Sequence, residues 1–471
     1  MNRLLRHVVI GVASAAVLAS CAAGTAPPPG PDGPAPGPAA SLEPLKVDGR
    51  FLATASGTPF FWLGDTAWAL PSKLDREQTA RYLDVRKRQG YTVIQVVAAF
   101  PHVDGNGPNA YGDKPLRGGL TPATTPGAEQ DDEQAYDWWD NLDSVVDAAA
   151  ARGIRVALLP VWADKQVGSL LTERNARAYG EFVGGRYGDR VVWVLGGDES
   201  ADGSEEIWAQ VAEGIEAGAK KDVLITYHPI GDASSAQWFS GEPWLDFNMI
   251  QGGHCLRYEK RARLVADSER GGLPWLDGEP IYEDHPYCWD RPPEGFSNDL
   301  DVRRDAYWAV FGGALGHTYG HHALWQFQTP DGDAALDARP GADWQKAVQA
   351  PGGVQMGHLR ALMESRPYTT GRPAPQVVRD AGSGADRIQA TRASDGSYLM
   401  VYVPQRRAFE VDLGALSGPA RAWWFDPRSG EATAARTPGG GWQTLTPPDR
   451  GEDWVLVADD SGRGFPAPGT G

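Results

Sequence analysis

The sequence is short of positive charge. Lys and Arg number 44 against 61 Asp and Glu among 471 residues, which gives a formal net charge of −17. Because affinity for a phosphate backbone comes chiefly from clustered basic side chains, we predict no nucleic-acid partner. The hydrophobic fraction of 41% and the charged fraction of 22% are typical of a soluble globular protein that buries a large core.

The signature motifs of several enzyme classes are also missing. There is no GxxxxGK[ST] segment, and no GxGxxG opens a helix after a strand, so phosphate- and dinucleotide-binding signatures are absent. The GxSxG nucleophile elbow is absent as well, which argues against an esterase or lipase. The nine histidines lack HExxH spacing, and no Cys/His cluster has zinc-ligand spacing. We therefore predict no catalytic metal and no cofactor.

The N-terminus has the pattern of an export signal. Arg3 and Arg6 precede an apolar run that ends in Leu18-Ala19-Ser20-Cys21, which resembles a bacterial lipobox. We predict a lipoprotein signal peptide over 1–20 and lipidation of Cys21, which makes the membrane a partner and the cell envelope the location. The alternative is an ordinary secretory signal with an incidental cysteine. The Pro- and Gly-rich residues 21–44 cannot bury a core and predict a tether.

From Phe60 onward, short apolar runs alternate with helical patterns, which predicts an α/β fold with parallel strands. Eight strands are expected, at 60–64, 92–98, 155–161, 191–195, 223–227, 247–251, 275–277 and 317–325. Helices are expected at 76–89, 138–152, 175–187, 205–220, 258–270, 302–314 and 356–364, with no long helix between the fifth and sixth strands. This pattern predicts a (β/α)8 TIM barrel over 45–372.

After Pro373 the helical patterns stop. The apolar runs 398–403, 409–413, 421–425 and 454–458 are separated by Gly, Pro and Asp turns, which predicts a small all-β sandwich domain over 373–462 followed by a tail at 463–471. Within the barrel, Cys255 and Cys288 both follow predicted strands at one face. An oxidising compartment permits a disulfide between them, although spacing alone leaves both the paired and the unpaired states open.

Carboxylates, imidazoles and aromatics follow the predicted strands where a barrel places its active site. Asp198 follows strand four and Glu279 ends strand seven, and a glycosidase needs two carboxyl groups across the scissile bond. Glycines precede each carboxylate, which we interpret as room for a sugar ring. The alternatives make Asp198 a helix cap and Glu279 an ion-pair partner, or make Glu199 the acid.

Longer stretches resemble a known family. They are WLGDTAW at 62–68, NAYGD at 109–113, LGGD at 195–198, YHP at 227–229, WLDFNMIQ at 244–251, DGEPIYE at 277–283, GHTYG at 316–320 and WWFDPR at 423–428. The sequence is identified as a member of the apiosidase-like glycoside hydrolases, the family-140-like proteins also known as domain of unknown function 4038. The resemblance implies a barrel hydrolase acting on pectic, rhamnogalacturonan-II-like oligosaccharides, with an apiosidase as the specific expectation.

The same resemblance assigns roles to residues. It implies that Asp198, rather than Glu199, and Glu279 are catalytic, and we expect Asp198 to be the acid/base and Glu279 the nucleophile of a retaining enzyme. The expected substrate-binding residues are Asp65, Trp68, Asn109, Tyr111, Trp162, His228, Gln251, Tyr282, His317 and Tyr319. The C-terminal region resembles a domain labelled as collagen-binding, although a supporting role is the simpler interpretation.

Two other functions fit parts of the sequence. A non-catalytic, lipid-anchored glycan-binding protein on the same scaffold would keep the aromatic residues, but it would not need both Asp198 and Glu279. A peptidase is suggested only by the label of the C-terminal region, and no catalytic triad or zinc motif supports it.

Overall fold

The computed structural model describes residues 42–99, 107–256, 264–289, 295–331, 339–436 and 439–470. Cys21, the signal peptide predicted over 1–20 and most of the tether predicted over 21–44 lie outside these residues. Within the described ranges, no helix is long and apolar enough to cross a bilayer.

Within the described residues, the first part of the chain holds fourteen strands, nine α-helices with defined bounds and a further helical segment at 264–268. The strands are β1 (Leu45–Asp48), β2 (Phe51–Thr54), β3 (Pro59–Phe60), β4 (Trp62–Thr66), β5 (Val93–Val97), β6 (Leu116–Gly118), β7 (Thr121–Pro122), β8 (Arg155–Leu159), β9 (Val191–Gly196), β10 (Ile225–His228), β11 (Ala233–Ser234), β12 (Asn248–Gln251), β13 (Trp275–Glu279) and β14 (Gly316–Tyr319). The helices are α1 (Leu70–Lys73), α2 (Arg76–Arg88), α3 (Trp138–Ala150), α4 (Ala176–Tyr187), α5 (Glu205–Ala219), α6 (Ala236–Phe239), α7 (Asp299–Phe311), α8 (Trp344–Ala347) and α9 (Pro351–Glu364).

Nine of these strands form one nearly closed sheet in the order β10-β9-β8-β5-β4-β14-β13-β12-β11. Neighbouring strands are parallel except for β11, which is antiparallel to β12. The gap in the sheet lies between β10 and β12, and it is bridged by the backbone N–H of Asp246, just before β12, which donates to the carbonyl of Ile225 in β10 at 3.0 Å. The predicted (β/α)8 barrel is confirmed. Its strands are buried on both faces, which explains why they are continuous apolar runs in the sequence.

Three features differ from the sequence prediction. Strands β1, β2 and β3 form a separate antiparallel sheet before the barrel, and the sequence pattern missed it. The eighth barrel strand ends at Tyr319 instead of Trp325, because the chain turns there and the N–H of Leu324 donates to the carbonyl of His321 at 2.9 Å. Of the helix predicted over 258–270, residues 264–268 are helical and residues 258–263 lie outside the described part.

Helices α4 and α5, which flank the strand that leads to Asp198, pack backbone to backbone. A Cβ at Gly184 would overlap the backbone of Ile215, and a Cβ at Gly214 would overlap the carbonyl of Arg177. Glycine at these two positions therefore sets the spacing between the helices. Two closely packed helices therefore flank β9, which ends just before Asp198.

The C-terminal region is all β, as predicted. Its strands are β15 (Gly371–Pro373), β16 (Val378–Arg379), β17 (Gln389–Ala393), β18 (Tyr398–Val403), β19 (Phe409–Asp412), β20 (Ala420–Phe425), β21 (Ala432–Ala434), β22 (Trp442–Leu445) and β23 (Trp454–Asp460). They form a six-stranded sheet, β15-β17-β18-β23-β20-β21, and a three-stranded sheet, β16-β19-β22. Leu399 and Val401 of the larger sheet share one apolar core with Phe409 and Val411 of the smaller.

The larger sheet uses its other face to pack on the barrel. Side chains alternate along β18, so Tyr402 points away from the sandwich core and stacks on Tyr307 of α7 with ring centroids 4.6 Å apart. Beside this pair, Nε and Nη2 of Arg303 donate to the two carboxylate oxygens of Asp453 at 2.8 and 3.0 Å. Both partners of this ion pair are buried. The sandwich is therefore joined to the barrel by an apolar face and a buried bidentate ion pair.

Candidate active site

Asp198 lies just beyond the end of β9, where the chain turns sharply. Gly196 and Gly197 have φ values of 85° and 122°, and Asp198 itself has a φ of 52°. Such angles suit glycine, and among other residues Asp is one of the few that tolerate them. The turn directs the Asp198 side chain toward Gln251, whose Nε2 donates to its Oδ1 at 2.6 Å.

The glycines before Asp198 and Glu279 serve a purpose other than the expected one. A Cβ at Gly197 would lie 2.8 Å from the Trp162 ring, and a Cβ at Gly278 would overlap the Met249 side chain. These positions are therefore small because protein groups occupy the space beside them. The interpretation that they make room for a sugar ring is wrong.

Glu279 ends β13 and is surrounded by hydrogen-bond donors. His228, at the end of β10, places Nε2 2.7 Å from Oε2 of Glu279. On the other oxygen, Nε2 of Gln251 donates to Oε1 at 3.1 Å, and Nε2 of His254 lies 3.3 Å from it. Gln251 thus bridges Asp198 and Glu279, and both carboxylate oxygens of Glu279 are held from defined directions.

The contacts of His228 indicate its protonation state. Its Nδ1 lies 3.1 Å from the carbonyl of Pro229, which can only accept a hydrogen bond, so Nδ1 carries a proton. Its Nε2 faces the carboxylate of Glu279, which accepts as well when it is ionised. Burial is the largest single effect and would lower the pKa of His228, but the charge of Glu279, its hydrogen bond and the charge of Asp198 together exceed it and raise that pKa above its ordinary value. His228 and Glu279 therefore form a buried imidazolium–carboxylate pair.

The pKa values of Asp198 and Glu279 are shifted in opposite directions. Burial favours the protonated form of Glu279, but the charge of His228, followed by its hydrogen bond and by the contacts of His254, lowers the pKa of Glu279 below its ordinary value. Desolvation by the surrounding protein is the largest cause that raises the pKa of Asp198, and the negative charge of Glu279 is the second. Asp198 is surrounded by protein groups but its side chain remains exposed to solvent, so its desolvation is incomplete. The negative charge of Glu279 nevertheless keeps the pKa of Asp198 raised. One group is thus poised as an acid and the other as a carboxylate.

Three of these groups also have the geometry of a metal site. Within the described residues, one ligand atom from each of Asp198, His228 and Glu279 lies within 4.8 Å of the other two. The bond from Nδ1 of His228 to a backbone carbonyl is the usual support for a histidine that binds metal through Nε2. The trio could therefore hold a divalent cation such as Zn²⁺, although the sequence predicts no catalytic metal.

Trp68, Trp162 and Tyr282 form a wall behind the carboxylates. The rings of Trp68 and Trp162 lie 5.5 and 5.4 Å from that of His228, and Nε1 of Trp68 donates to the hydroxyl of Tyr282 at 3.2 Å. Trp68 is 2% exposed and Trp162 4%, which is comparable to the 2% of Glu279. Both rings pack against His228, and their contact with a sugar stays a prediction.

Two other expected sugar ligands belong to the interior of the protein. Asp65 is completely buried, and its Oδ2 accepts hydrogen bonds from Arg86 at 2.7 Å and from the hydroxyl of Tyr82. Tyr319 is also completely buried, and its hydroxyl donates to Glu283 at 2.6 Å. Because these polar groups are bound to protein partners away from solvent, the prediction that Asp65 and Tyr319 bind substrate is wrong.

The remaining expected ligands are placed as follows. Oδ1 of Asn109 accepts from the backbone N–H of Tyr111 at 2.9 Å and so shapes its own loop. The hydroxyl of Tyr111 accepts from the backbone N–H of Arg76 at 2.8 Å, and the ring is partly exposed. His317 is buried with Nδ1 2.9 Å from Asp277. The structure brings together His228, Gln251 and Tyr282 around the two carboxylates, while Asn109 and Tyr111 make contacts elsewhere.

The sequence assignment missed His254 as a site residue. His254 follows β12 and reaches Glu279, and its ring lies 4.3 Å from those of both Tyr282 and His285. The signal in the sequence was its position three residues after Gln251 and directly before Cys255. The structure bonds Cys255 to Cys288, which answers the question that the spacing left open.

Comparison with known proteins agrees with this geometry. The family model described as "Apiosidase-like, catalytic domain" matches residues 46–370, and one described as "Putative collagen-binding domain of a collagenase" matches residues 373–459. A solved structure titled "Glycoside hydrolase" is 35% identical with a TM-score of 0.81, covering 89% of this chain and 97% of that one. A family 5 glycoside hydrolase from Bacteroides vulgatus ATCC 8482 is 34% identical with a TM-score of 0.80, covering 89% and 93%. No curated protein matches the chain significantly.

The barrel and the paired carboxyl groups at the ends of its strands define a glycoside hydrolase, an enzyme with a carbohydrate substrate. More particularly, the chain belongs to the apiosidase-like family, whose catalytic-domain model covers most of its length.

Proposed function

We propose that the protein is a retaining glycoside hydrolase in which Asp198 is the acid/base and Glu279 the nucleophile. The observation that carries this proposal is the short separation of the two groups, since an oxygen of Asp198 lies within 4.8 Å of one of Glu279. Retaining enzymes place their carboxyl groups about 5–5.5 Å apart, whereas inverting enzymes need roughly 6.5–9.5 Å to admit a water molecule. The short separation supports direct attack by Glu279.

The electrostatics of the site supports the same division of labour. The raised pKa of Asp198 lets it hold the proton that the leaving group requires, and the lowered pKa of Glu279 keeps that group ionised for attack. Asp198 protonates the glycosidic oxygen while an oxygen of Glu279 bonds to the anomeric carbon and the bond to the aglycone breaks. Asp198 then removes a proton from water, which attacks the same carbon and releases Glu279.

For the substrate, we propose a pectic oligosaccharide of the rhamnogalacturonan-II type, with release of apiose as the specific activity. Support comes from the sequence resemblance and from the apiosidase-like family model. The test is a panel of pectic oligosaccharides and aryl glycosides, with the anomer of the first-formed product followed by proton NMR. We expect release of apiose with retained configuration. A product of inverted configuration would remove the nucleophile role from Glu279, and turnover confined to other sugars would overturn the substrate.

The C-terminal sandwich is proposed to support the barrel instead of binding collagen. Its larger sheet is already covered by the barrel, through the Tyr307–Tyr402 stack and the buried Arg303–Asp453 pair. Collagen or gelatin affinity would have to use the remaining surface. A gelatin pull-down with the full chain tests this role, for which no retention above an albumin control is expected; saturable retention would contradict it.

We also propose that the mature enzyme is anchored in the cell envelope through lipid on Cys21. The bonded pair of Cys255 and Cys288 supports export, because disulfides persist chiefly in oxidising compartments outside the cytoplasm.

A further inference from the structure

A covalent link joins two loops at the catalytic end of the barrel. Cys255 lies in the loop after β12, and Cys288 lies in the loop after β13, 33 residues further along the chain. None of the catalytic steps described above uses these sulfur atoms. The link nevertheless ends next to the reacting groups.

His254 connects the disulfide to the nucleophile. It directly precedes Cys255, and its carbonyl accepts a hydrogen bond from the backbone N–H of Cys288 at 2.9 Å. Its Nε2 lies 3.3 Å from Oε1 of Glu279. One covalent bond and one backbone hydrogen bond therefore hold the segment from which this imidazole reaches the carboxylate.

The His254 ring also packs against the loop that carries Cys288. It stacks on His285 with ring centroids 4.3 Å apart and an angle of 29° between the planes. His285 belongs to the loop between Glu279 and Cys288, and its Nδ1 lies 2.7 Å from the carbonyl of Pro286, which fixes its ring. The two loops that the disulfide joins thus supply both the imidazole and the surface against which it packs.

We propose that the Cys255–Cys288 disulfide is a positioning element of the active site, which holds the imidazole of His254 against Glu279 and thereby keeps the nucleophile in its reactive form. This inference rests on the proposed role of Glu279. It assigns the disulfide a part in catalysis beyond the stability that cross-links usually provide.

The expected consequence is a change in pH dependence. The hydrogen bond and the charge of His254 both help to lower the pKa of Glu279, and its charge also lowers that of Asp198. When the imidazole is displaced, both pKa values rise, so both limbs of the kcat/KM profile move to higher pH. The polar groups that face Glu279 from the surrounding elements are Asp198, His228, Gln251, His254 and Tyr282.

The experiment uses three variants of the full chain: Cys255→Ala/Cys288→Ala, His254→Gln, and the triple combination. The first two should each move the acid limb of kcat/KM to higher pH and lower kcat/KM on the acid side by roughly 3- to 100-fold, the range that coupled neighbours span. Since the disulfide acts through His254, its removal should have no further effect in the His254→Gln background. If the loss of kcat/KM in the triple variant equals the product of the losses in the double cysteine variant and in His254→Gln, the inference is overturned.

Thermal unfolding of each variant separates positioning from stability. Val411→Ala, in the sandwich core and far from the carboxylates in the fold, is the matched control: it should lower stability and leave both limbs unchanged. If the double cysteine variant does not fold, His254→Gln alone decides, because an acid limb at the wild-type position would overturn the inference. Glu279→Gln keeps the two proposals distinguishable: its full activity would overturn the proposed function, whereas its inactivity together with an unmoved limb in His254→Gln would overturn only this inference.

Discussion

Nε2 of His228 lies 2.7 Å from Oε2 of Glu279, and both side chains are buried. Two tryptophan rings pack around the imidazole, so the pair is shielded from water and its charges interact strongly. His228, expected from the sequence to bind substrate, contacts the carboxylate that we propose as the nucleophile.

His228→Gln should shift the acid limb of kcat/KM to higher pH. His228 lowers the pKa of Glu279 more through its charge than through its hydrogen bond. The Gln side chain keeps a hydrogen-bond donor at this position but carries no charge. The shift should exceed that of His254→Gln, and steady-state kinetics from pH 3 to 8 measures it. His358→Gln, on α9, is the matched control and should leave the limb in place. A wild-type acid limb in a folded His228→Gln variant would show that His228 does not tune Glu279.

Zn²⁺ should inhibit the enzyme in competition with substrate. Asp198, His228 and Glu279 offer the oxygen and nitrogen ligands that Zn²⁺ prefers, and a cation bound to these atoms would block both carboxylates of the proposed mechanism. Initial rates at several substrate and Zn²⁺ concentrations give the inhibition pattern, and EDTA should restore activity. Mg²⁺, which prefers oxygen ligands in octahedral geometry, is the control and should have little effect at equal concentration. Noncompetitive inhibition, or none, would contradict this use of the site.

The barrel was predictable because parallel strands buried on both faces leave apolar runs in the sequence, and because polar residues follow those runs. For the same reason the sequence pointed to Asp198 and Glu279, which the structure brings together through Gln251 and whose catalytic roles stay a proposal. Residue roles that depend on a distant partner could not be read in this way. Asp65 lies near the end of β4, where a ligand would, but its carboxylate pairs with Arg86 of α2. Tyr319 likewise bonds Glu283.

Burial was the second property that local sequence concealed. A tryptophan after a strand predicts a sugar platform and a packed wall equally well, and the local sequence did not show that Trp68 and Trp162 pack against His228. His254 was overlooked because its contact with Glu279 comes from a loop closed by a disulfide between distant cysteines. The sheet formed by β1, β2 and β3 was missed because its strands are short and partly exposed.

Removal of one partner of the Arg303–Asp453 pair should destabilise the protein strongly. Both side chains are buried, so Arg303→Ala leaves the carboxylate of Asp453 without its bidentate partner. The expected loss in the free energy of unfolding is about 3–5 kcal/mol, measured by urea denaturation. Arg379→Ala, which removes an exposed pair with Glu410, is the control and should cost about 0–1 kcal/mol. Similar losses for the two variants would show that the buried pair does not secure the sandwich to the barrel.

Cys21→Ser should abolish membrane association. The wild type carries lipid on Cys21 in the proposed mature form and should partition into the detergent phase of Triton X-114, whereas the variant should remain aqueous or unprocessed. Phase separation followed by immunoblotting measures the distribution. A wild type found wholly in the aqueous phase, with a mature N-terminus elsewhere, would refute the anchor.

The division of labour between Asp198 and Glu279 is tested most directly by pre-steady-state turnover of an aryl glycoside with a good leaving group that the wild type cleaves. Asp198→Asn should give a rapid burst of phenolate and then slow turnover, because an activated leaving group needs no acid while hydrolysis of the glycosyl-enzyme still needs the base. Glu279→Gln should release nothing above background, and Glu199→Gln, the neighbouring control, should resemble the wild type. Near-normal turnover by both Asp198→Asn and Glu279→Gln would contradict the assignment.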